Sequence, residues 1–185
     1  MLEENAIVLM QNFIQRHKKE VHLALDLTLG RGKDSKFILE TYPESRVLAF
    51  DIQEEALDWV RENLKKQDRL QTILDGHQNL DSYLDQEVDL VVMNLGYLPG
   101  GDKTIITKAA TTVMAIEKAL EALKLGGLFT LLVYRSHPGA AEEVAAVEEC
   151  IRSLDQKDYR VQRIEFYNQK NQPPVFFAIE KRKKK

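Results

Sequence analysis

A single cysteine in 185 residues excludes an internal disulfide, and no Cys/His cluster has metal-ligand spacing. No apolar run approaches the roughly 20 residues a membrane span needs; the longest, Leu128–Tyr134, is strand-sized. The N-terminus, MLEENAIVLMQNF, is acidic where a signal peptide is basic and has no small-residue cleavage site. No Pro/Gly/Ser-rich linker and no internal repeat divides the chain. An excess of positive charge is missing too: 26 Lys and Arg face 29 Asp and Glu, for a net charge of −3. These absences point to a cytoplasmic protein without structural metal or membrane anchor, and to one domain over residues 1–185. They also exclude the basic body by which a nucleic-acid binder usually declares itself. The one basic run is the tail, residues 181–185; without it the rest carries about −8. That tail reads either as a mobile solvated end or as a phosphate contact.

What is present is an alternation of strand and helix patterns. Ile7, Met10, Phe13, Ile14 and His17 recur at helical spacing, so residues 2–19 read as an amphipathic helix. Strands are predicted at Val21–Leu25, Arg46–Phe50, Leu70–Leu74, Val88–Met93 and Leu128–Tyr134. Between them helices are predicted from Asp34 or Ser35 as cap through Thr41, over Glu54–Lys66, and from Thr107 to Lys124. The last of these is expected to stop at the Gly126-Gly127 pair, a helix C-terminal signal. After a helix over Gly139–Leu154, Tyr159–Tyr167 and Val175–Glu180 follow without a helix between them. Parallel βαβ units closed by an antiparallel hairpin give an α/β, Rossmann-like, seven-stranded sheet. Ligands of such sheets bind at the carboxyl ends of the strands, which makes every strand-end residue a candidate by position.

After the first strand comes Asp26-Leu27-Thr28-Leu29-Gly30-Arg31-Gly32, a turn whose glycines permit close backbone approach to a ligand. The third glycine of a dinucleotide fingerprint is replaced by Ser35, and Asp26 would repel a pyrophosphate but suits an ammonium group. A plain tight turn is the alternative. Asp51 ends the second strand, 25 residues on, where a carboxylate accepts both hydroxyls of a ribose or caps the next helix. Asp75-Gly76-His77 ends the third strand, where a polar side chain meets an adenine amino group; His77 reads equally as a solvent-facing loop residue.

At Asn94-Leu95-Gly96-Tyr97-Leu98-Pro99 the chain resembles class I S-adenosylmethionine (SAM) dependent methyltransferases, whose fourth strand ends in an N/D-P-P-Y-like motif. It is most similar to the small bacterial family long described as rRNA methylases. These MnmM-type enzymes methylate 5-aminomethyl-2-thiouridine at the tRNA wobble position. The matching pieces are DLTLGRGKDS at 26–35, the acid Asp51, NLGYLPGGDK at 94–103 and YRSHPGAAEE at 134–143. Arg31 and Lys33 stand where the family commonly has Asn and His, and Ser136 and Ala140 where it has Gly, so side-chain contacts at 31 and 33 do not carry over. The resemblance implies a class I methyltransferase fold with SAM as cofactor. The cofactor contacts it implies are Asp26, Thr28, Gly30, Gly32, Asp34, Asp51, Ile52, Asp75, Gly76, His77, Asn94 and Leu95. Substrate contacts are expected from Leu95, Gly96, Tyr97, Leu98, Pro99, Lys103, Tyr134, Arg135 and His137. The implied partner is the tRNA anticodon stem-loop, met by a homodimer.

Methyl transfer to an amine needs the neutral amine, which a low-dielectric pocket favours and a nearby carboxylate opposes. The Asn94 amide oxygen or the Leu95 carbonyl is therefore a better orienting acceptor than an Asp would be. Tyr97 suits stacking on an extruded base, and His137 is a candidate proton acceptor. Lys103, Lys108 and Arg135 are candidates for phosphate neutralisation. Each also has an ordinary structural role open to it: a turn cap for Asn94, packing for Tyr97, a structural His137, solvated charges for the basic residues. The expected activity is N-methylation of 5-aminomethyl-(2-thio)uridine in tRNA. The alternatives are an rRNA methyltransferase, a small-molecule or protein N-methyltransferase, a non-catalytic RNA-binding module, and an NAD-dependent oxidoreductase disfavoured by the missing glycine.

Overall fold

The central strands bury both faces, and their sequences say why. β1 (Leu23–Asp26) is buried at every position, and its side chains alternate between two separate clusters. Leu23 and Leu25 join one, with Leu48, Phe50, Val91, Met93, Phe129, Leu131, Phe177 and Ile179; Ala24 joins the other, with Val47, Ala49, Leu90, Val92, Leu128, Leu132, Phe176 and Ala178. A strand apolar on both faces belongs to a sheet covered on both sides by helices. The computed structural model describes residues 3–64, 68–96, 106–135 and 140–182.

In chain order the elements are α1 (Ala6–His17), β1, α2 (Lys33–Thr41), β2 (Arg46–Asp51), α3 (Glu54–Asn63), β3 (Leu70–Leu74), a 3-10 helix (His77–Tyr83) and β4 (Val88–Leu95). They continue with α4 (Ala109–Ala122), β5 (Leu123–Val133), α5 (Ala140–Ser153), β6 (Tyr159–Ile164) and β7 (Val175–Lys181). The sheet runs β3-β2-β1-β4-β5-β7-β6. Neighbours from β3 to β5 are parallel, and β7 pairs antiparallel with both β5 and β6. This is the seven-stranded class I methyltransferase topology. The chain builds outward from β1 to β3, then returns to lay β4 on the other side of β1. The loops after β1 and β4 therefore diverge and leave a crevice at their carboxyl ends. α1, α2 and α3 supply side chains to one face of the sheet; α4, α5 and the 3-10 helix cover the other. Among the described residues no helix is long and apolar enough to cross a membrane.

Three sequence expectations are corrected. α2 is capped not by Asp34 or Ser35 but by Gly32, in the left-handed conformation at φ 66°. Asp34 and Ser35 lie inside the first turn, 7% and 0% exposed, because their side chains turn inward to polar partners. The Gly126-Gly127 pair does not end α4. The helix passes directly into β5 at Leu123, and both glycines lie in a bulge of that strand, where pairing with β4 jumps from Val88↔Leu123 to Leu90↔Leu128. Gly126 sits at φ +76°, and a Cβ on Gly127 would lie 2.8 Å from the Lys124 carbonyl oxygen, so the bulge requires both. β6 ends at Ile164 rather than Tyr167. The 3-10 helix, buried through Leu80, has no counterpart in the sequence pattern.

At the opposite, amino-terminal end of the sheet, Asp89 of β4 starts the central pair. Its Oδ2 accepts the backbone N–H groups of His22 (2.8 Å) and Leu23 (3.0 Å), while its Oδ1 accepts from Lys124 Nζ at 3.0 Å. Asp89→Ala strands two backbone donors and an ammonium. It is expected to lower stability by about 2 kcal/mol or more, read as a lower urea midpoint at unchanged m-value.

Candidate active site

β1 ends at Asp26, 1% exposed. Its Oδ1 accepts the Thr28 N–H at 3.2 Å and its Oδ2 accepts the Ser35 hydroxyl at 2.7 Å. Between these residues the chain makes a tight turn, with Gly30 at φ 50° and Gly32 at φ 66°. A Cβ on Gly32 would lie 2.9 Å from Leu64 and Val60 side-chain carbons. Both the left-handed backbone and the packing therefore demand glycine. The turn is held from β2: Asp51 Oδ2 accepts the Gly30 N–H at 2.9 Å, and its Oδ1 accepts the Gln53 N–H at 3.0 Å. Gln53, not Asp51, is the N-cap of α3, so Asp51 faces the turn. Two carboxylate oxygens offer about four lone-pair sites, so room for further donors such as ribose hydroxyls remains.

The acids at this turn are held far from their ordinary titration. Burial lifts the Asp26 carboxyl to about 7 and the Asp34 charge adds to it; hydrogen bonds from Ser35 and Thr28 act against the rise. Burial also raises Asp34, opposed by Gln11, Asn94 and Lys33. Asp51 is raised by burial against the amides of Gln53, Gly30 and Ile52. Two buried carboxyls and the half-buried Asp51 at one crevice make it a place for a ligand that carries positive charge and hydrogen-bond donors.

β4 closes the crevice from the other side. The Asn94 N–H donates to Thr28 Oγ1 at 2.8 Å, tying the end of β4 to the β1 turn. Its Nδ2 donates to Asp34 Oδ2 at 2.5 Å. That bond fixes the amide and leaves Asn94 Oδ1 buried with no partner among the described residues. Leu95 is 1% exposed and packs into the core, so only its backbone is offered to a ligand. Gly96, at φ +146°, follows it.

On the far side of β1, the Asp75 Oδ1 accepts from Gly76 N–H (2.7 Å) and Asn79 Nδ2 (2.8 Å), and its Oδ2 accepts from the Tyr83 hydroxyl (2.8 Å). The hydrogen bonds from Asn79 and Tyr83 hold the carboxyl below its usual range. His77 is not a solvent-facing loop residue: Nδ1 lies 3.2 Å from the Leu27 carbonyl oxygen. Since a carbonyl only accepts, Nδ1 carries the proton. Burial lowers the ring's pKa, and Nε2 is left as a buried acceptor with no partner among the described residues. Beside these acceptors lie the exposed apolar side chains of Ile52 and Leu74, 60% and 51% exposed.

The cofactor candidates therefore converge at the ends of β1, β2, β3 and β4. The substrate candidates divide. Tyr97, Leu98, Pro99, Lys103 and His137 lie outside the described residues. Tyr134 packs against the α1–α3 face of the core. Arg135 is not a solvated cation at the mouth: its Nη2 donates to the Pro173 carbonyl at 3.0 Å and its Nη1 pairs with Glu165 at 3.4 Å. Lys108 is exposed at the N-cap of α4.

Sequence reasoning missed Glu143 of α5, 3% exposed. It accepts hydroxyls from Thr107 (2.8 Å) and Thr112 (2.6 Å). The Thr107 Oγ1 also takes the Gly96 N–H at 3.0 Å, and the Thr107 N–H returns to the Gly96 carbonyl at 3.0 Å. Both ends of the segment between β4 and α4 are thus pinned together over a buried carboxylate. The only advance sign was an acid near the helix start, indistinguishable from the exposed Glu142 beside it.

Residues 47–180 match the family model described as "Putative rRNA methylase". The chain belongs to that family. It is 31% identical over 171 residues to the chloroplastic tRNA (mnm(5)s(2)U34)-methyltransferase of Arabidopsis thaliana, covering 85% of this chain and 62% of that one. The chain thus spans about three fifths of the length of that relative. Family resemblance extends to solved structures. A "putative rRNA-methylase" from Clostridium thermocellum superposes with a TM-score of 0.92 at 38% identity, over 98% of this chain and 100% of that one. A "putative methyltransferase" from Streptococcus mutans, solved in complex with SAH, gives 0.86 at 36% identity, over 98% and 99%.

The raised acid of this family member has a consequence for stability. Because the folded state holds the Asp26 proton up to about pH 7 and the unfolded chain only to 3.8, the folded state binds more protons between those values. Ligand-free stability should therefore fall as pH rises from about 4 to about 7 and level off above. In Asp26→Asn the amide oxygen still accepts from Thr28 and the amide N–H can donate to the Ser35 oxygen. The variant is expected to flatten the slope and to melt above the wild type at pH 8, as measured by thermal scans across the range. A steeper slope in the variant would contradict the assignment.

Proposed function

We propose that the chain is a SAM-dependent tRNA methyltransferase that converts 5-aminomethyl-(2-thio)uridine at the wobble position to 5-methylaminomethyl-(2-thio)uridine, in the cytoplasm, as a homodimer with one catalytic domain per chain. The observation that carries the acceptor chemistry is the buried Asn94 Oδ1 at the end of β4, without a partner among the described residues. Similarity to the Arabidopsis wobble-uridine enzyme supports the choice of substrate.

The residues present fit the cofactor. Its ammonium group and sulfonium carry positive charge, matched by Asp26 and Asp34; its ribose diol suits the open lone pairs of Asp51. The His77 Nε2, an orphaned acceptor, suits an adenine amino group, with Ile52 and Leu74 as apolar walls. Thr28, Gly30, Gly32, Asp75, Gly76 and the Leu95 backbone complete the cradle. When bound, SAM supplies an electrophilic methyl on a sulfonium, whose departure as a neutral thioether needs no acid catalyst.

What the chain must then do is hold a neutral amine in line, which is positioning and desolvation. Asn94 Oδ1 accepts an N–H of the amine and directs its lone pair. An uncharged acceptor does this without holding the amine as an ammonium ion, as a carboxylate would. Asp34 acts through Asn94, by fixing which end of the amide faces the crevice. After transfer the methylated nitrogen releases one proton, for which His137 and solvent are the available acceptors. Tyr97 is assigned the base-stacking role, Gly96, Leu98, Pro99 and Tyr134 further substrate contacts, and Lys103 a phosphate contact.

A second reading, methylation of rRNA, is favoured by the description of the family model. Incubation with labelled SAM and total RNA from cells lacking the final wobble methylation separates the two. Label is expected in the wobble nucleoside of tRNA; label confined to rRNA or protein overturns the tRNA assignment. Asn94→Ala is expected to cut turnover by about 100-fold while SAM affinity, read by calorimetry, stays close to wild type because the Asn94 backbone bond to Thr28 remains. Unchanged turnover would remove Asn94 from its role.

A further inference from the structure

The connection from β6 to β7 lies on the same end of the sheet as the crevice. β5 and β6 both run antiparallel to β7, so β6 ends where β4 and β5 end. The register is continuous: Leu95 pairs with Val133, and Val133 pairs with Val175, the first residue of β7. Two interstrand spacings of about 4.8 Å separate Leu95 from the foot of this hairpin. The cofactor candidates lie at the ends of β1, β2, β3 and β4, so β4 borders both the crevice and this flank.

The hairpin is built to hold its tip out. Phe166 packs inward, against the cluster on the α1–α3 face. The next residue, Tyr167, is 96% exposed. It sits in a turn closed by the Gln169 N–H on the Phe166 carbonyl at 3.4 Å. Arg135 braces the base of the hairpin from both sides, donating to the Pro173 carbonyl and pairing with Glu165. Arg163 takes the second oxygen of Glu165 at 3.2 Å. From Tyr167 to Gln172 six consecutive residues, Tyr-Asn-Gln-Lys-Asn-Gln, are exposed; they contain one cation and no acid, in a chain where 29 residues are acidic. Gln172 at φ 47° is the one described non-glycine residue with positive φ, a bend that aims the tip before Pro173 and Pro174.

We propose that this hairpin is an RNA-docking element: Tyr167 stacks on an unpaired base neighbouring the reacting nucleotide, with the side-chain amides and Lys170 contacting the adjoining backbone. Every base has a π-face, so an aromatic ring held clear of the protein is a sequence-tolerant platform for single-stranded RNA. Amides and one lysine add polar contacts without the strong field that the chain, at net charge −3, does not possess. Arg135 is in this account a positioning residue, spent on bracing the hairpin rather than on a phosphate. The inference deepens the RNA methyltransferase reading and rests on it.

The test compares wild type, Tyr167→Ala, Tyr167→Phe and Tyr167→Trp in two assays: binding of a fluorescent anticodon stem-loop by anisotropy, and methyl transfer to undermethylated tRNA. Tyr167→Ala is expected to weaken binding and raise the RNA KM roughly tenfold, with kcat and SAM affinity unchanged; Phe and Trp restore both. The salt dependence of binding should keep its slope in Tyr167→Ala, since no phosphate contact is lost, and become shallower in Lys170→Ala. Equal binding by wild type and Tyr167→Ala overturns the docking role even if transfer to tRNA is normal. Tyr167-dependent RNA binding without transfer to the wobble uridine keeps the docking element and overturns the substrate assignment. A changed sedimentation coefficient with unchanged RNA affinity makes the hairpin a contact between copies and overturns the proposal.

Discussion

The structure depends on burying acids where β1 and β4 part. Asp26, Asp34 and Asp51 all enter that crevice, and burial raises each of them. A carboxylate in such a place costs folding energy unless it is bonded, and each is: Asp26 by Ser35 and Thr28, Asp34 by Asn94, Asp51 by Gly30 and Gln53. The same bonds are the ones that shape the site. They curl the glycine turn against β2 and join it to β4 through Thr28 and Asn94. What the fold gives up in stability here it holds in reserve for a cationic ligand, as expected where a site violates the rules that the rest of the core obeys.

A division of labour follows from the topology. The β3-β2-β1 half presents hydrogen-bond acceptors and the exposed apolar side chains of Ile52 and Leu74. The β4-β5-β7-β6 half carries Asn94 at the boundary and, beyond it, the Glu143 hub that pins Gly96 to Thr107 and the hairpin braced by Arg135. Acidic surface overall and local, braced contact points are compatible under the proposed RNA docking: few phosphates would be gripped, and recognition would fall to faces and edges of bases.

Much of this was legible in the sequence because it follows from period and position. Short apolar runs between helical patterns placed all seven strands, and Asp26, Asp51, Asp75 and Asn94 were found as strand-end polar residues without any contact being known. What was not legible depended on which way a side chain turns. Asp34 and Ser35 look like helix caps because caps are acids and serines; only the tertiary fold shows that Asn94 and Asp26 claim them. Gly126-Gly127 resembles a helix stop, yet the same left-handed backbone serves a bulge inside β5. Arg135 reads as a free cation until Glu165 and Pro173, about 30 and 38 residues on, are folded back onto it. Glu143 carries no local mark that sets it apart from the exposed Glu142 beside it.

Proton release on cofactor binding tests the buried acids most directly. If Asp26 is half-protonated near pH 7 in the free protein, the arrival of a positively charged ligand must lower its pKa and expel part of that proton. Calorimetric titration with SAM at pH 7, in buffers of different ionisation enthalpy, should show release of a fraction of a proton on binding, lost in Asp26→Asn. Tight SAM binding with no proton exchange, or with uptake, would contradict the account.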